Sequence, residues 1–144
     1  MEITEAKNYK EEVIALLSAE KLPVEDLPSA LENFLVAREN NEVVGAIGLE
    51  IYEDNGLLRS LIVRGDHRNA GTAGILLAEL EGLAIAKGLN DIYLLTETAS
   101  DYFSRKNFIV ITRADVPATL QQSSEFSYVC PQSAVVMKKT LSKQ

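Results

Sequence analysis

The sequence contains one cysteine, one histidine and no tryptophan among its 144 residues. The single cysteine, Cys130, cannot form an internal disulfide or a metal site built from several thiolates, so we expect neither a disulfide nor a metal. No run approaches the roughly 18 apolar residues that a membrane span requires. The charged N-terminus, MEITEAKNYKEE, lacks the apolar stretch of a signal peptide. These absences favour a cytoplasmic protein that has no membrane partner.

Positive charge is also scarce, because the formal net charge is −7 at pH 7. Proteins that bind nucleic acid or an anionic membrane surface carry an excess of lysine and arginine, so both kinds of partner are unexpected. An acidic chain can still bind an anion where positive charges are clustered locally. The content of 47% hydrophobic and 24% charged residues is typical of a globular protein. The length predicts a single domain over residues 1–144.

The hydrophobic pattern predicts an α+β domain. A helix is expected from Thr4 to Ala19, and it is followed by three strands with turns at Asn40-Asn41 and Asn55-Gly56. The later elements are predicted as a helix, a strand, a short helix, a strand, a helical stretch and a final strand. In chain order, the ranges from the first strand onward are Phe34–Arg38, Val43–Tyr52, Leu57–Val63, Ala73–Lys87, Asp91–Thr98, Ala99–Lys106, Phe108–Thr112, 117–124 and Ala134–Lys139. This order predicts a central mixed, mostly antiparallel sheet that is flanked by helices.

The segment from Leu57 to Lys87 carries the strongest functional pattern. A buried strand leads through a charged turn into a helix that begins with small residues, among them Gly71 and Gly74. The first amides of a helix lack internal partners and the helix dipole favours negative charge there, so such a start suits phosphate. The nearby positive residues are Arg59, Arg64, His67 and Arg68, opposed by Asp66. A solvated turn without a ligand is the alternative interpretation.

Two other phosphate-binding motifs fit this segment poorly. A Walker loop requires a Gly-Lys-Ser/Thr sequence, and a dinucleotide-binding turn requires Gly-x-Gly-x-x-Gly after a first strand. Here the glycines follow three predicted antiparallel strands, and their spacing is different.

The segment RNAGTAG, from Arg68 to Gly74, resembles the coenzyme A-binding motif of the GNAT acetyltransferases. That motif is Arg/Gln-x-x-Gly-x-Gly/Ala, and Arg68, Gly71 and Ala73 fill its positions. YFSRKNF resembles the second motif of the family, which usually ends in Gly-Phe; Asn107 replaces the glycine, and asparagine tolerates a positive φ. The order of elements resembles the family over nearly the whole chain.

Three longer segments resemble a subgroup of this family that is associated with arsenic resistance. They are SLIVRGDHRNAGTAGILLAELE, IYLLTETASDYFSRKNF and SSEFSYVCPQSAVVMKK. The resemblance implies a three-layer GNAT-like fold and acetyl-coenzyme A as co-substrate, with no metal. It also makes a homodimer one expected assembly, because family members are often dimers.

The resemblance also implies which residues hold the cofactor. The main chain of Leu61, Ile62 and Val63 would pair with the pantetheine arm, and the amide of Val63 or its neighbour is a candidate donor to the oxyanion. Phe103 is a candidate residue for packing against the cofactor. The pyrophosphate would be held by the amides of Arg68, Asn69, Ala70, Gly71, Thr72, Ala73 and Gly74. The Arg68 side chain could add a charge-assisted contact.

The general acid is where the sequence departs from the family. A tyrosine often lies four residues before the glycine of the second motif, and that position here is Phe103. Tyr102 lies one residue earlier, which rotates the side chain by about 100° on a helix. Tyr102 is therefore a candidate acid, or else a packing residue. A thiol with a pKa of about 8.5 can also leave unaided as the thiolate at modest cost.

Glu50 is the first candidate for the base that takes a proton from the incoming amine, and Glu97 is the second. Regular alternation would place Ala46 and Gly48 on the same strand face as Glu50, leaving room for an acceptor. Both carboxylates could instead be surface groups. Arg59 could pair with the carboxylate of an acceptor, or it could form a surface or cross-strand ion pair.

For His67 and Cys130 we expect no catalytic role. His67 adds to the anion site or faces water, since it lies in the turn before the helix. Cys130 is expected to be structural, because trivalent arsenic favours several thiolates.

The first functional hypothesis is transfer of an acetyl group to the amino group of a small molecule, such as an amino acid or an arsenic-containing analogue. The second is a non-catalytic module that senses acyl-coenzyme A, which the phenylalanine at position 103 would favour. The third is an acetyltransferase that acts on protein N-termini or lysines.

Overall fold

The computed structural model describes residues 1–22, 24, 27–65, 71–123 and 134–141. The strands are β1 Glu2–Glu5, β2 Phe34–Glu39, β3 Glu42–Tyr52, β4 Asn55–Val63, β5 Asp91–Thr96, β6 Ile109–Ile111 and β7 Val135–Thr140. The α-helices are α1 Lys10–Ala19, α2 Thr72–Ala86, α3 Ser100–Arg105 and α4 Ala118–Gln121. Arg113–Asp115 forms a 3-10 turn whose Thr112 and Asp115 make a capping box.

The strands form one mixed sheet in the order β1-β2-β3-β4-β5-β7-β6. The pairs β1–β2, β2–β3, β5–β7 and β6–β7 are antiparallel, whereas β4 and β5 are parallel. The parallel pairing runs from Asn55 to Leu57 on β4, opposite Asp91 to Tyr93. The predicted mixed, mostly antiparallel sheet with flanking helices is therefore confirmed.

The prediction of a helix from Thr4 is wrong at its start. Residues 2–5 form β1 and pair with β2, with Ile3 opposite Ala37 and Thr4 opposite Val36. The helix begins only at Lys10. A strand of four residues is too short for its alternation to stand out from a helical pattern, and its pairing with β2 decides its conformation.

One of the two predicted hairpin turns is confirmed and the other is displaced. Asn40 and Asn41 both have positive φ, 54° and 67°, as a tight hairpin turn requires. In the second hairpin the turn lies at Glu53 and Asp54, and Glu53 has a φ of 57°. The Asn55-Gly56 sequence lies instead within β4, opposite Asp91 and Ile92. Its pairing with β5 overrides the local turn preference.

The chain divides into two compact units. The first comprises Met1–Glu50 and Leu58–Leu83, and the second comprises Ile51–Leu57 and Ala84–Gln144. The first unit has a core formed by α1, the strands and the two loop residues Ala6 and Leu31; its other members are Val13, Leu17, Phe34, Val36, Val43, Ala46 and Ile62. A core cluster of the second unit contains Leu57, Tyr93, Val116, Leu120 and Val136. The single domain over residues 1–144 stays a prediction.

None of the helices in the described part of the chain has both the length and the apolar character needed to cross a membrane. The longest of them, α2, has 15 residues.

Two helices end in the same hydrogen-bonded arrangement. After α2, Gly88 has a φ of 78°, and the amides of Gly88 and Leu89 donate to the carbonyls of Ile85 and Ala84. After α3, Asn107 has a φ of 73°, and the amides of Asn107 and Phe108 donate to the carbonyls of Ser104 and Phe103. This is the Schellman motif, and the positive φ that was expected to be tolerated at Asn107 is observed.

Substituting Asn107 tests this helix end. We expect Asn107→Ala to lower the free energy of unfolding by about 1–2 kcal/mol, because alanine disfavours the left-handed conformation. Asn107→Gly should retain or raise stability, since glycine adopts it freely. Urea titration measures both effects. Ser104→Ala, at an exposed position of α3, is the control and should change stability by less than about 0.5 kcal/mol. Equal stability of the alanine and asparagine proteins at position 107 would contradict the assignment.

Candidate active site

The first part of the candidate site is the entry into α2. Gly71 has a φ of 82°, and the amide of Ile75 donates to its carbonyl at 3.1 Å, which is the first bond of the helix. The first turn of α2 contains no acidic residue. The start of α2 therefore has the features expected of an anion site. Arg68, Asn69 and Ala70, together with His67, lie outside the described residues.

Close packing fixes where α2 begins. A Cβ on Gly45 would lie 3.1 Å from both the Ile62 carbonyl oxygen and Leu76 Cδ1, and 3.5 Å from Thr72 Cγ2. Thr72 is buried, whereas Gly74 is half-buried. The missing side chain at Gly45 lets the start of α2 lie directly against β3 and β4. This packing places Thr72, in the first turn of α2, close to Ile62 near the end of β4.

The second part is the backbone of β4. Ser60, in the middle of this strand, has a φ of 60°, which is rare for a residue with a side chain. The residues that follow are the predicted pantetheine partners: Leu61 is half-buried, and Ile62 and Val63 are buried. The register of β4 with β5 is confined to Asn55–Leu57, before this irregular point.

Glu50 and Arg59 form an ion pair between β3 and β4. Arg59 Nη1 donates to Glu50 Oε2 at 3.0 Å, and Arg59 Nε donates to Ser60 Oγ at 3.1 Å. The Arg59 side chain is only 1% exposed and the Glu50 side chain 15% exposed. Of the two interpretations of Arg59, the structure supports the cross-strand ion pair. Glu50 stays the predicted base, now with a defined partner.

The predicted room beside Glu50 is partly filled. Gly48 pairs with Phe34 across β2 and β3, and a Cβ on Gly48 would lie 2.5 Å from Cζ and 2.7 Å from Cδ2 of Phe34. Ala46 is fully buried in the core beneath α1. The expectation that small residues open this strand face is therefore wrong at Gly48, because the Phe34 ring occupies the space.

The remaining candidate residues belong to the second unit. Glu97 is exposed, directly after β5. Phe103 is buried on α3, and its ring makes edge contacts with Tyr102 and Phe108, both with centroids 5.4 Å apart. The hydroxyl of Tyr102 is buried and has no hydrogen-bond partner among the described residues. Burial raises the pKa of the Tyr102 phenol, and Arg105 partly opposes this effect.

Tyr102→Phe separates a chemical role from a packing role. We expect the free energy of unfolding to stay unchanged or to rise by up to about 1–3 kcal/mol, because the substitution removes a buried hydroxyl without a partner. If Tyr102 protonates the leaving thiolate, kcat should fall about 100-fold or more. Urea titration and steady-state kinetics measure the two effects. An unchanged kcat would assign Tyr102 to packing alone.

Sequence reasoning gave an ion pair as one alternative for Arg59 but did not identify Glu50 as the partner. It missed both the conformation of Ser60 and the ring of Phe34 over Gly48. The Phe34–Gly48 pair could have been found by counting back from the Asn40-Asn41 turn, although the bulge at Ala37/Arg38 shifts that count by one residue. Ser60 carries no local signal. In the described ranges, no group of three or more histidine, cysteine, aspartate and glutamate residues could hold a metal ion.

Known proteins resemble this chain in sequence and in fold. An amino-acid acetyltransferase of Shewanella oneidensis is 26% identical over 103 residues, which is 70% of this chain and 22% of that protein. An uncharacterised N-acetyltransferase of Chlorobaculum tepidum is 28% identical over 98 residues, 67% of this chain and 63% of that protein. The chain thus spans less than two thirds of the length of either relative.

Solved structures share the fold. The N-acetylglutamate synthase of Neisseria gonorrhoeae, complexed with coenzyme A and N-acetyl-glutamate, has a TM-score of 0.81 at 16% identity, covering 99% of this chain and 35% of that one. A Mycobacterium tuberculosis protein in complex with coenzyme A has a TM-score of 0.83 at 22% identity, covering 99% and 100%. The model of the Acetyltransferase (GNAT) family matches residues 6–108. Since that match spans most of the sequence, this chain belongs to the GNAT acetyltransferase family.

Proposed function

We propose that this protein transfers the acetyl group of acetyl-coenzyme A to the amino group of a small molecule. The observation that carries the proposal is the entry into α2, where Gly71 is left-handed and the first turn has no acidic residue, in a chain of the GNAT family. A phosphate-bearing co-substrate fits such a helix start. The acetyl-coenzyme A thioester supplies an activated acetyl group when it is bound.

Each candidate residue has a distinct role in this proposal. The first-turn amides of α2 and the Arg68 side chain hold the pyrophosphate, and the main chain of Leu61 and Ile62 pairs with the pantetheine arm. The amide of Val63 or its neighbour donates to the oxyanion that forms when the amine attacks the thioester. Collapse of this intermediate breaks the C–S bond and releases coenzyme A as the thiolate, and Tyr102 is the candidate that protonates it. Glu50 receives a proton from the amine, directly or through water, and its ion pair with Arg59 fixes the orientation of the carboxylate. Glu97 is the second candidate base.

An amino acid is the acceptor class that we propose. Support comes from the resemblance to the Shewanella oneidensis amino-acid acetyltransferase. The structural neighbour that holds N-acetyl-glutamate is consistent with this choice. The three segments that resemble the arsenic-resistance subgroup add an arsenic-containing amino acid analogue as a specific candidate. An acetyltransferase for protein amino groups is the competing acceptor class.

The proposal is tested first by ligand-induced stabilisation. The thermal midpoint is measured alone and with about 1 mM acetyl-coenzyme A, coenzyme A, ATP or NADP. At 100 times its Kd a ligand stabilises by about 2.7 kcal/mol, which shifts the midpoint by roughly 5–10 °C for a chain of this size. A shift with acetyl-coenzyme A that ATP and NADP do not reproduce supports the proposal. No shift with either form of coenzyme A would overturn it.

Coenzyme A release, measured with a thiol reagent, then identifies the acceptor. Free amino acids, the arsenic-containing analogue and lysine-containing peptides are compared at equal concentration. Turnover of a free amino acid supports the proposed acceptor class, and turnover of peptides alone would replace it.

A non-catalytic acyl-coenzyme A sensor is the second candidate function. The observation that favours it is Phe103, which is buried among aromatic rings at the position where the family often has a tyrosine. Tight coenzyme A binding without turnover of any amine would support this function over the first.

Arg68→Ala tests the phosphate contact. We expect the affinity for coenzyme A to fall by about 1–3 kcal/mol, the value of a charged hydrogen bond. Isothermal titration calorimetry measures the Kd. Lys87→Ala is the control, because it removes one exposed positive charge directly after the opposite end of α2. Equal Kd values for the wild-type and Arg68→Ala proteins would contradict the phosphate contact.

A further inference from the structure

The feature that the proposed function leaves unexplained is the backbone of Ser60. Its φ of 60° lies in the left-handed region, although serine has a side chain and lies in the middle of β4. Residues in this conformation persist only where the surrounding structure holds them. The next three residues are those proposed to contact the co-substrate.

Arg59 supplies a contact that can hold this conformation. Its Nε donates a hydrogen bond to Ser60 Oγ at 3.1 Å, so the Arg59 side chain holds the side chain of the residue that follows it. The guanidinium is itself fixed, because Nη1 donates to Glu50 Oε2 at 3.0 Å on the neighbouring strand. With the Arg59 side chain 1% exposed, water does not compete freely for these bonds. Glu50, Arg59 and Ser60 all lie in the first unit.

The chemistry of arginine suits this arrangement. The guanidinium is planar and presents donors in fixed directions, so it can bond a carboxylate with one nitrogen and a hydroxyl with another. A lysine ammonium at this position keeps the charge opposite Glu50 but has no Nε–H with a fixed direction toward Ser60.

We infer that Arg59 is a positioning residue: anchored by Glu50, it holds Ser60 in the left-handed conformation and thereby sets the direction of the β4 main chain at Leu61–Val63. The inference rests on the proposed function, because that main chain is the part proposed to bind acetyl-coenzyme A. This role acts through Ser60 and requires no contact between Arg59 and either substrate.

The test compares Arg59→Lys in two backgrounds, wild type and Ser60→Gly. Glycine adopts a positive φ without being held, so the Ser60→Gly protein should not need Arg59 for this purpose. We expect Arg59→Lys to raise the Kd for coenzyme A about tenfold in the wild-type background and less than threefold in the Ser60→Gly background. A purely structural role would give the same fold-change in both, and that result would overturn the inference.

A second readout does not depend on coenzyme A. The NMR backbone chemical shifts of Ser60 in the ligand-free protein report its conformation. These chemical shifts should change in Arg59→Lys and stay the same in the control Arg38→Lys. The control alters another paired guanidinium, because Arg38 on β2 forms an ion pair with Glu2 on β1. Unchanged Ser60 shifts in Arg59→Lys would overturn the inference even if coenzyme A binds. Failure of the wild-type protein to bind coenzyme A would instead overturn the proposed function.

Ser60→Ala covers the case in which Arg59→Lys does not fold. It keeps the Cβ and removes only the hydroxyl that Arg59 bonds. We expect the Kd for coenzyme A to rise about tenfold in Ser60→Ala and to stay within threefold of wild type in Ser60→Gly. Equal Kd values in these two variants would contradict the inference.

Discussion

Arg59→Met should lower the free energy of unfolding by about 3–5 kcal/mol, the largest loss that we expect from a single substitution in this protein. The guanidinium is 1% exposed and its partner carboxylate 15% exposed, so the variant leaves the Glu50 carboxylate largely buried without its opposite charge. Removing one partner of a buried pair costs more than the pair itself contributes, because the remaining ion keeps its desolvation penalty. Urea titration measures the loss.

The double variant Arg59→Met/Glu50→Leu distinguishes this cause from a general intolerance of position 59. Because it removes both charges, we expect it to recover to within about 1 kcal/mol of wild type or to exceed it. Arg64→Met is the matched control. Arg64 pairs with Glu42 at 2.7 Å in the same unit, but these side chains are 35% and 64% exposed. Its removal should cost about 1 kcal/mol or less. Equal losses in Arg59→Met and Arg64→Met would contradict the role of burial.

Gly48→Ala should destabilise the protein by about 1–3 kcal/mol, as expected when atoms are added to a filled core. The new Cβ would lie 2.5 Å from Cζ of Phe34, closer than two carbon atoms can approach. Phe34 is 1% exposed and packs among the side chains of the first core, so its ring cannot simply move outward. Thermal and urea unfolding measure the effect.

Two further variants test this explanation. In a Phe34→Leu background, Gly48→Ala should cost at least about 1 kcal/mol less, because contacting residues couple. Gly82→Ala is the control for the glycine itself. A Cβ on Gly82, which is exposed on α2, has nothing within 4 Å, so the substitution should stabilise by about 0.5–1 kcal/mol. If Gly48→Ala proved neutral in the wild-type background, the Phe34 ring would not fill the space.

The features that were predicted correctly depend on residues close in sequence. Asn107 ends α3 with a positive φ, and Asn40-Asn41 forms a hairpin turn, because each depends on the conformational preference of one or two residues. The hydrophobic pattern likewise predicted α2, which begins at Thr72 rather than at Ala73.

The features that were missed depend on distant pairing. Residues 2–5 become a strand because β2 lies beside them, and Asn55-Gly56 joins β4 because β5 pairs with it. Neither partner can be read from the local pattern of the segment. The Ser60 conformation is missed for the same reason, since Arg59 and Glu50 surround it and its own sequence gives no sign.

The candidate site was predicted unevenly. The residues of the helix start follow from motif spacing, and Arg68, Asn69 and Ala70 stay predictions outside the described residues. The choice of Glu50 as base assumed that its strand face is open to an acceptor. Alternation along the strand shows which residues share a face, but it does not show whether side chains from other elements cover that face. Phe34, whose ring fills that face at Gly48, comes from another strand.

The position of β7 between β5 and β6 has a consequence for how the protein is made. Residues 135–140 pair with β5 over six positions and with β6 over three, yet they are synthesised after both. During translation, the edges of β5 and β6 that β7 will cover therefore stay unpaired until residues 135–140 are made, and they can pair with other chains. Such sequence-distant pairing is slow to form. The second unit therefore completes its native sheet only after residues 135–140 have been synthesised, because they supply the inner strand between β5 and β6.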